Sequence, residues 1–343
     1  MESGLGKMIP TTKINNRRYL GNKFKLLPFI TDVISKECTD FETFADIFAG
    51  TGAVSSAFTD KILYTNDILY SNYLCHLTWF SDEYFDISKI ESYIDFFNSD
   101  IPYEENYMTV NFADTYFSKK NCSKIGFIRE KIENEFHSGR INTRERAMLI
   151  TSLLYGIDKI ANTCGHYDAY RKGVELPESF TMRTPEPNSN LKHNHCYNKD
   201  TNELVREISA DVVYIDPPYN SRQYCDAYHL IENIARWEKP EVFGIARKMD
   251  RTTLKSKYCT RSAPSAFEDL IKNIKANFIV VSYNNMAKKG DDRSNARISD
   301  VQILDTLRAK GSVKIFSEQF KAFTTGLSEH HDNEERLFVC KCS

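Results

Sequence analysis

Asp216-Pro217-Pro218-Tyr219 follows directly on the apolar run Ala210–Ile215. The aspartate offers carboxylate acceptors, and the Pro217 carbonyl offers another with no N–H of its own to compete. Pro218 fixes its own φ and pushes Pro217 out of the helical region, so the acceptors are held before any ligand arrives. Tyr219 adds a flat aromatic face. Two acceptors above an aromatic plane suit an exocyclic amine on a stacked base. Such an amine donates two hydrogens, and its lone pair becomes more available for attack on an electrophile. The alternative is a Pro-Pro loop with an aspartate capping a helix, which uses the same residues for structure alone.

A second constellation lies upstream, in "FETFADIFAGTGAVSSAF", Phe41 to Phe58. The run Thr43–Phe48 reads as a strand and ends in Ala49-Gly50-Thr51-Gly52; a helix-like stretch, Ala53–Phe58, follows. Glycines at such a turn let the backbone approach a ligand at a helix N-terminus. The spacing is not the G-x-G-x-x-G of a dinucleotide site, because Ser55 stands at the third position. Asp46, four residues before Gly50, would repel a pyrophosphate and suits a cationic group instead. The pattern therefore favours a nucleoside carrying an amino acid. Asp67 ends the next strand, Ile62–Asp67, where an acid accepts from ribose hydroxyls. The competing reading is a structural turn with a surface acid.

The elements that must position these groups alternate as strand, glycine turn, helix, strand and acid, the opening of a doubly wound α/β sheet. From Tyr70 to Cys196 the character changes. Ile125, Ile128 and Ile132, then Met148, Leu149 and Leu153, recur at helical spacing, and "ELPESFTMRTPEPNSNLKHNH" reads as an irregular loop. Strands resume at Ala210–Asp216 and Asn277–Asn285. Ser299–Gly311 reads as a helix with a serine cap and a closing glycine. "SVKIFSEQF" and "RLFVCK" suggest a terminal antiparallel pair, with "SEHHDNEE" as their turn. The expected organisation is a sheet domain, residues 1–69 and 197–343, interrupted by a mostly helical insertion, residues 70–196.

With 343 residues, 41% apolar and 27% charged, the chain can bury a full core, and global disorder is excluded. A net charge of −2 means that any polyanion must be met by a local basic face. "RKMDRTTLKSKYCTR" is one candidate, with Arg247, Lys248, Arg251, Lys255, Lys257 and Arg261, although a solvated charged face explains it equally well. The nine cysteines form no C-x-x-C pair and read as reduced thiols. The N-terminus has no apolar signal core, and no apolar run approaches the ~20 residues of a membrane span. A cytoplasmic, monomeric protein is expected. Cys164, His166, His193, His195 and Cys196 lack the paired spacing of a zinc site, so no metal is expected.

Taken in order, "RRYLGNKFKLLPFI", "DIFAGTG", a helical insertion and "DPPY" resemble the N6-adenine DNA methyltransferases of the Dam and D12 type. The likeness covers Arg18–Phe58, Thr65–Asp67, Tyr197–Arg222 and the C-terminal strands. It implies a Rossmann-like S-adenosylmethionine-dependent methyltransferase sheet. It further implies methyl transfer from S-adenosyl-L-methionine to adenine N6 in double-stranded DNA, with a restriction endonuclease as companion. By the same resemblance Tyr19, Gly21, Asn22 and Lys23 close over the cofactor. Asp46, Phe48, Gly50 and Gly52 hold its methionine end. Asp67 binds its ribose, and Asp200 its adenine. Asp216, Pro217, Pro218 and Tyr219 receive the flipped base. In many members the recognition region follows the element of Asp200, whereas here the insertion precedes it. Asn220, Arg222 and Gln223, by proximity, and His166 and Tyr167, in the polar aromatic stretch Thr163–Gly173, are candidates for DNA contact.

Three other readings share part of this pattern. An RNA adenine methyltransferase would use the same acceptor chemistry, and so would an N4-cytosine enzyme, whose motif more often starts with serine. A cofactor- and DNA-binding partner without catalysis is the third. C5-cytosine methylation is excluded, since no cysteine follows a proline to serve as the thiolate nucleophile.

Overall fold

The computed structural model describes residues 19–187, 192–284, 296–319 and 334–343. Among them seven strands form one sheet in the order β3-β2-β1-β4-β5-β7-β6. The strands are β1 Thr43–Asp46, β2 Ile62–Asn66, β3 His195–Tyr197, β4 Ala210–Ile215, β5 Ala276–Asn284, β6 Gly311–Gln319 and β7 Glu334–Cys342. The first five run parallel; β7 is antiparallel to both β5 and β6.

The continuous apolar runs arise because both faces of the sheet are covered. Val212 and Tyr214 of β4, with Phe278 and Val280 of β5, join one core with Ile30, Val33 and Ile34 of α1, Leu27–Glu37. The alternate residues Val213, Ile215, Ile279 and Val281 face the other side. There they meet Phe267, Leu270 and Ile271 of α10, Ala263–Asn273, and Ile303 and Leu307 of α11, Asp300–Arg308. Each such fully buried side chain contributes about 1.5–3 kcal/mol relative to exposure. A shift of strand register by one residue would exchange the two cores.

The central helices are α2 Tyr70–Phe80, α3 Ile87–Asn98, α4 Tyr107–Phe112, α5 Lys119–His137 and α6 Thr143–Asp158. α6 opens with a reciprocal cap between Asn142 and Glu145, and Ser118 caps α5. The isoleucines at helical spacing, Ile125, Ile128 and Ile132, are all fully buried. Three short helices follow: α7 Thr201–Leu204, α8 Tyr224–Ala227 and α9 His229–Arg236. Leu230, Ile231 and Ile234 of α9, with Met249 and Leu254, share one core with α2–α6. The central helices therefore pack on the stretch after Tyr219 as well as on one another.

Two local expectations change. His195 and Cys196, expected in the insertion, pair with Tyr64 and Thr65 as β3. Three residues are too few to show a strand period, and the edge position depends on β2 being present. Ala53–Phe58, expected to be helical, holds only a 3₁₀ turn at Ser55–Phe58. Ser55 donates to Asp46 and Ser56 to the Ala53 carbonyl, and serine side chains that bond locally compete with a helix. The expected turn "SEHHDNEE" lies mostly outside the described residues.

β1 and β4 are neighbours, yet the chain leaves β1 toward β2 and leaves β4 toward β5. This is the switch point of an open parallel sheet, where a crevice opens outside the carboxyl ends of the strands.

Candidate active site

The crevice begins at the glycine turn. Gly50 and Gly52 have φ of 55° and 86°, the left-handed region that favours glycine. A Cβ on Gly52 would stand 2.8 Å from the Phe80 ring, and one on Gly50 would stand 3.0 Å from the Tyr19 ring. The turn is pinned from three sides. Gly50 N–H donates to Asp67 Oδ2 at 3.0 Å, its carbonyl meets His76 Nε2 at 2.9 Å, and Ala49 N–H donates to the Asn66 carbonyl. Asp67 also accepts from Leu69 N–H at 2.8 Å. Both its oxygens thus hold backbone, which sequence reasoning did not foresee for an acid expected on a ribose. Burial pushes its carboxyl up to about 7.

Asp46 lines the same crevice and is 1% exposed. Oδ2 accepts from Ser55 Oγ at 2.8 Å, and Oδ1 has no hydrogen-bond partner among the described residues. Burial raises this carboxyl too, to about 7. A buried acid in a cleft wall with one unsatisfied oxygen is a costly arrangement unless a ligand completes it.

Tyr19–Lys23 closes one side. The Tyr19 ring stacks on Tyr228 at 4.8 Å, and its hydroxyl accepts from Asn72 Nδ2 on α2 at 3.0 Å. Leu20 N–H donates to the Tyr228 hydroxyl at 2.6 Å. Gly21 has φ of 74°, and a Cβ there would stand 2.9 Å from the Tyr224 hydroxyl. Asn22 lines the cleft and accepts from Phe24 N–H. Lys23, expected to serve the cofactor, lines the crevice and also reaches the end of β4. Its Nζ lies 3.0 Å from Asp216 Oδ1 and 3.1 Å from Glu335 Oε1 on β7. Burial opposes this charge, but the two carboxylates outweigh it and hold the ammonium protonated beyond the ordinary lysine range.

Asp216 feels burial first, which raises its carboxyl; Lys23 pulls it down, and Glu335 pushes it up. The result is a carboxyl near 6, ionised at neutral pH. Asp216 and Pro218 line the crevice. Pro217 is buried. Tyr219 packs edge-on to Tyr283 at 6.5 Å, and its carbonyl accepts from Arg297 N–H at 2.9 Å, so the residue is held from behind.

The opposite wall combines two segments. Asp200 caps α7 by accepting from Asn202 N–H at 2.9 Å and Glu203 N–H at 3.3 Å, both on Oδ1. Thr253, Leu254, Lys255, Ser256, Lys257 and Tyr258 complete the lining. Tyr258 meets Phe48 edge-on at 5.1 Å and donates to Asn202 Oδ1 at 2.9 Å. Sequence reasoning left this basic stretch between a phosphate-tracking face and a solvated one, and missed its part in the cleft. Met249, Leu254, Tyr258 and Cys259, apolar or aromatic in a charged run and all buried, are the signal of an inward face. Arg251 is bound to Asp226 and Lys248 to Asp168; Arg247, Lys255, Lys257 and Arg261 are exposed.

The residues expected on DNA divide. Arg222 is exposed. Asn220 accepts from Arg222 N–H at 3.0 Å. Gln223 is clamped: its amide donates to the Ser256 carbonyl at 3.0 Å and accepts from Ser256 N–H at 2.8 Å. It ties the far wall to the stretch after Tyr219. His166 is partly buried, and its ring lies 3.4 Å from Asp168. Tyr167 is 2% exposed and donates to Asp158, while its carbonyl accepts from Tyr116. It is core, because an aromatic after a helix end packs as readily as it projects, and it does not reach the surface.

The chain matches the family model of the D12 class N6 adenine-specific DNA methyltransferases over residues 19–290. It is 34% identical to modification methylase LlaI of Lactococcus lactis subsp. lactis, over 93% of this chain and 53% of that protein. It is 37% identical to modification methylase StsI of Streptococcus sanguinis, over 78% of this chain and 44% of that protein. Similarity to type II methyltransferase M.NlaIII of Neisseria lactamica is 28%, over 92% of this chain and 95% of that protein. The chain thus spans about half the length of the first two and nearly all of the third.

Proposed function

This chain belongs to the D12 class of N6 adenine-specific DNA methyltransferases, and on that premise we propose that it methylates adenine N6 in double-stranded DNA with S-adenosylmethionine. We assign it to the modification half of a restriction–modification system, in keeping with the names its relatives carry.

The observation that carries this reading is the placing of two chemistries in one crevice. The unsatisfied Oδ1 of Asp46 and the tight glycine turn suit a ligand with a cationic amino-acid end. Phe48 and Tyr258 offer aromatic surface farther along. S-adenosylmethionine fits that donor set, and when bound it supplies an electrophilic methyl group on a sulfonium.

The remaining work belongs to this chain. A base within a duplex cannot reach the crevice, so it must be extruded, at a cost of a few kcal/mol. Stacking on Tyr219 offsets ~1–3 kcal/mol of that. Asp216 and the Pro217 carbonyl accept the N6 hydrogens and orient the lone pair. Lys23 occupies Oδ1 of Asp216 and leaves Oδ2 for the amine. No covalent enzyme adduct is needed, because alignment of two bound reactants lowers the barrier directly.

The test is to incubate the full chain with labelled S-adenosylmethionine and with duplex DNA or RNA of matched sequence, then identify the modified nucleoside. N6-methyladenine in DNA is expected. Label in RNA alone, in N4-methylcytosine, or in neither polymer overturns the reading.

A further inference from the structure

Behind Asp216 lies a buried charge cluster that extends past residue 290, where the family match ends. Glu335, on the last strand, is 3% exposed. Its Oε1 lies 3.1 Å from Lys23 Nζ and accepts from Ser282 Oγ at 2.6 Å; Oε2 accepts from Asn284 Nδ2 at 3.4 Å. The sheet builds this contact. Asn284 is the register partner of Glu335, and Ser282, two residues earlier on β5, shares its face. Lys23 therefore stands between two carboxylates, one on the terminal strand and one at the mouth of the crevice.

Such a cluster is a poor choice for stability alone. Desolvating a carboxylate costs several kcal/mol, and a well-packed apolar group in its place is often neutral or better. The cluster has a charge consequence instead. One ammonium and two carboxylates sum to −1, whereas Lys23 with Asp216 alone would sum to zero. An amine attacking a sulfonium methyl gains positive charge, and a preorganised negative site favours that change. The second carboxylate also restrains Lys23. A lysine free to swing into the crevice would oppose the same charge.

We propose that Glu335 is a positioning residue of the methyl-transfer site, fixing Lys23 on Oδ1 of Asp216 and keeping the site net negative where the acceptor amine becomes positive. The inference rests on the proposed methyltransferase reading. Besides Lys23 and Glu335, the groups coupled to Asp216 by charge are Asp46, Tyr214, Tyr219 and Tyr224. Glu335 also pushes the Tyr214 and Tyr219 hydroxyls up, and both are raised above the ordinary tyrosine range, so they stay neutral across the pH range tested.

The experiment compares the wild-type full chain with Glu335→Gln, which keeps the shape and removes the charge. kcat and both KM values are measured from pH 5 to pH 8.5 on duplex DNA, with cofactor affinity by calorimetry. An inactive wild type would sink the methyltransferase reading itself; the variant-to-wild-type ratio tests the inference separately. The expected result is a fall in kcat of roughly tenfold, the scale of one pK unit of lost charge stabilisation. Both KM values should stay within about twofold. The acidic limb of kcat should move to lower pH, because the lost negative charge no longer opposes ionisation of Asp216. A structural role alone would leave that limb in place. Unchanged kcat with an unmoved limb overturns the proposal, and so does a loss confined to KM for the cofactor. If Glu335→Gln lacks a cooperative thermal transition, Ser282→Ala loosens the same carboxylate. A several-fold fall in kcat at constant KM then supports the proposal, and unchanged kcat refutes it.

Discussion

Nζ of Lys23 lies 3.0 Å from Oδ1 of Asp216, so a loop ahead of the first helix grips the acid at the end of the fourth strand. One oxygen of Asp216 is thereby occupied, and the acid is oriented before a base arrives. Replacing Asp216 by alanine should lower turnover by about 10²–10³-fold, the usual cost of removing one preorganised polar group from a reacting centre. Cofactor binding should survive. Single-turnover methylation and calorimetric titration of S-adenosylmethionine check the two halves, and full activity would remove Asp216 from the chemistry.

The same acid sets an acidic limit. Burial raises the Asp216 carboxyl, with Lys23 opposing and Glu335 assisting, to about 6. Turnover needs the ionised form as hydrogen-bond acceptor, so kcat should fall as pH drops through about 6. A kcat profile flat down to pH 5 would contradict this.

Asp46 and Asp67 bear on stability in the opposite sense from an ordinary paired carboxylate. Burial raises both from 3.8 to about 7 in the folded chain. Between those values the native state binds more protons than the unfolded state. Their contribution is fully present below pH 4 and is lost as pH rises through about 7. With cofactor absent, the Tm contribution of these acids should therefore decline from pH 5 to pH 8. Replacing Asp46 by asparagine should flatten that decline, as read by thermal melts across pH.

Tyr219 should matter to the base more than to the cofactor. Tyr219→Ala should cost ~1–3 kcal/mol of base stacking, or about 5–150-fold in kcat/KM for DNA, with little change in cofactor affinity. Tyr219→Phe retains the ring and should stay close to wild type. Equal losses toward DNA and cofactor in the alanine variant would argue against stacking.

Gly52 tests the turn. A Cβ there meets the Phe80 ring at 2.8 Å and sits at φ 86°, whereas one on Gly139 meets nothing within 4 Å at φ 69°. Gly52→Ala should destabilise by ~1–3 kcal/mol and weaken cofactor binding. Gly139→Ala should show backbone strain alone. Urea unfolding of both variants separates clash from strain, and equal behaviour would deny the tight packing at Gly52.

Local chemistry was determined by the sequence itself. The rigid exit Asp216–Tyr219, the paired glycines after β1, the apolar runs of β4 and β5 and the isoleucine stripe of α5 are legible because each depends on neighbours within a few residues. φ limits, strand alternation and helical spacing act at that range. Tertiary structure alone decided what meets across the chain. It set Lys23 between Asp216 and Glu335, turned Asp67 onto the glycine-turn backbone and clamped Gln223 on Ser256. It also drew Tyr258 into the cleft and sank Tyr167 into the core. Those outcomes follow from strand order and from which faces of the helices are covered. A charged or aromatic residue carries the same local signal whether packing later buries it, pairs it or leaves it in water.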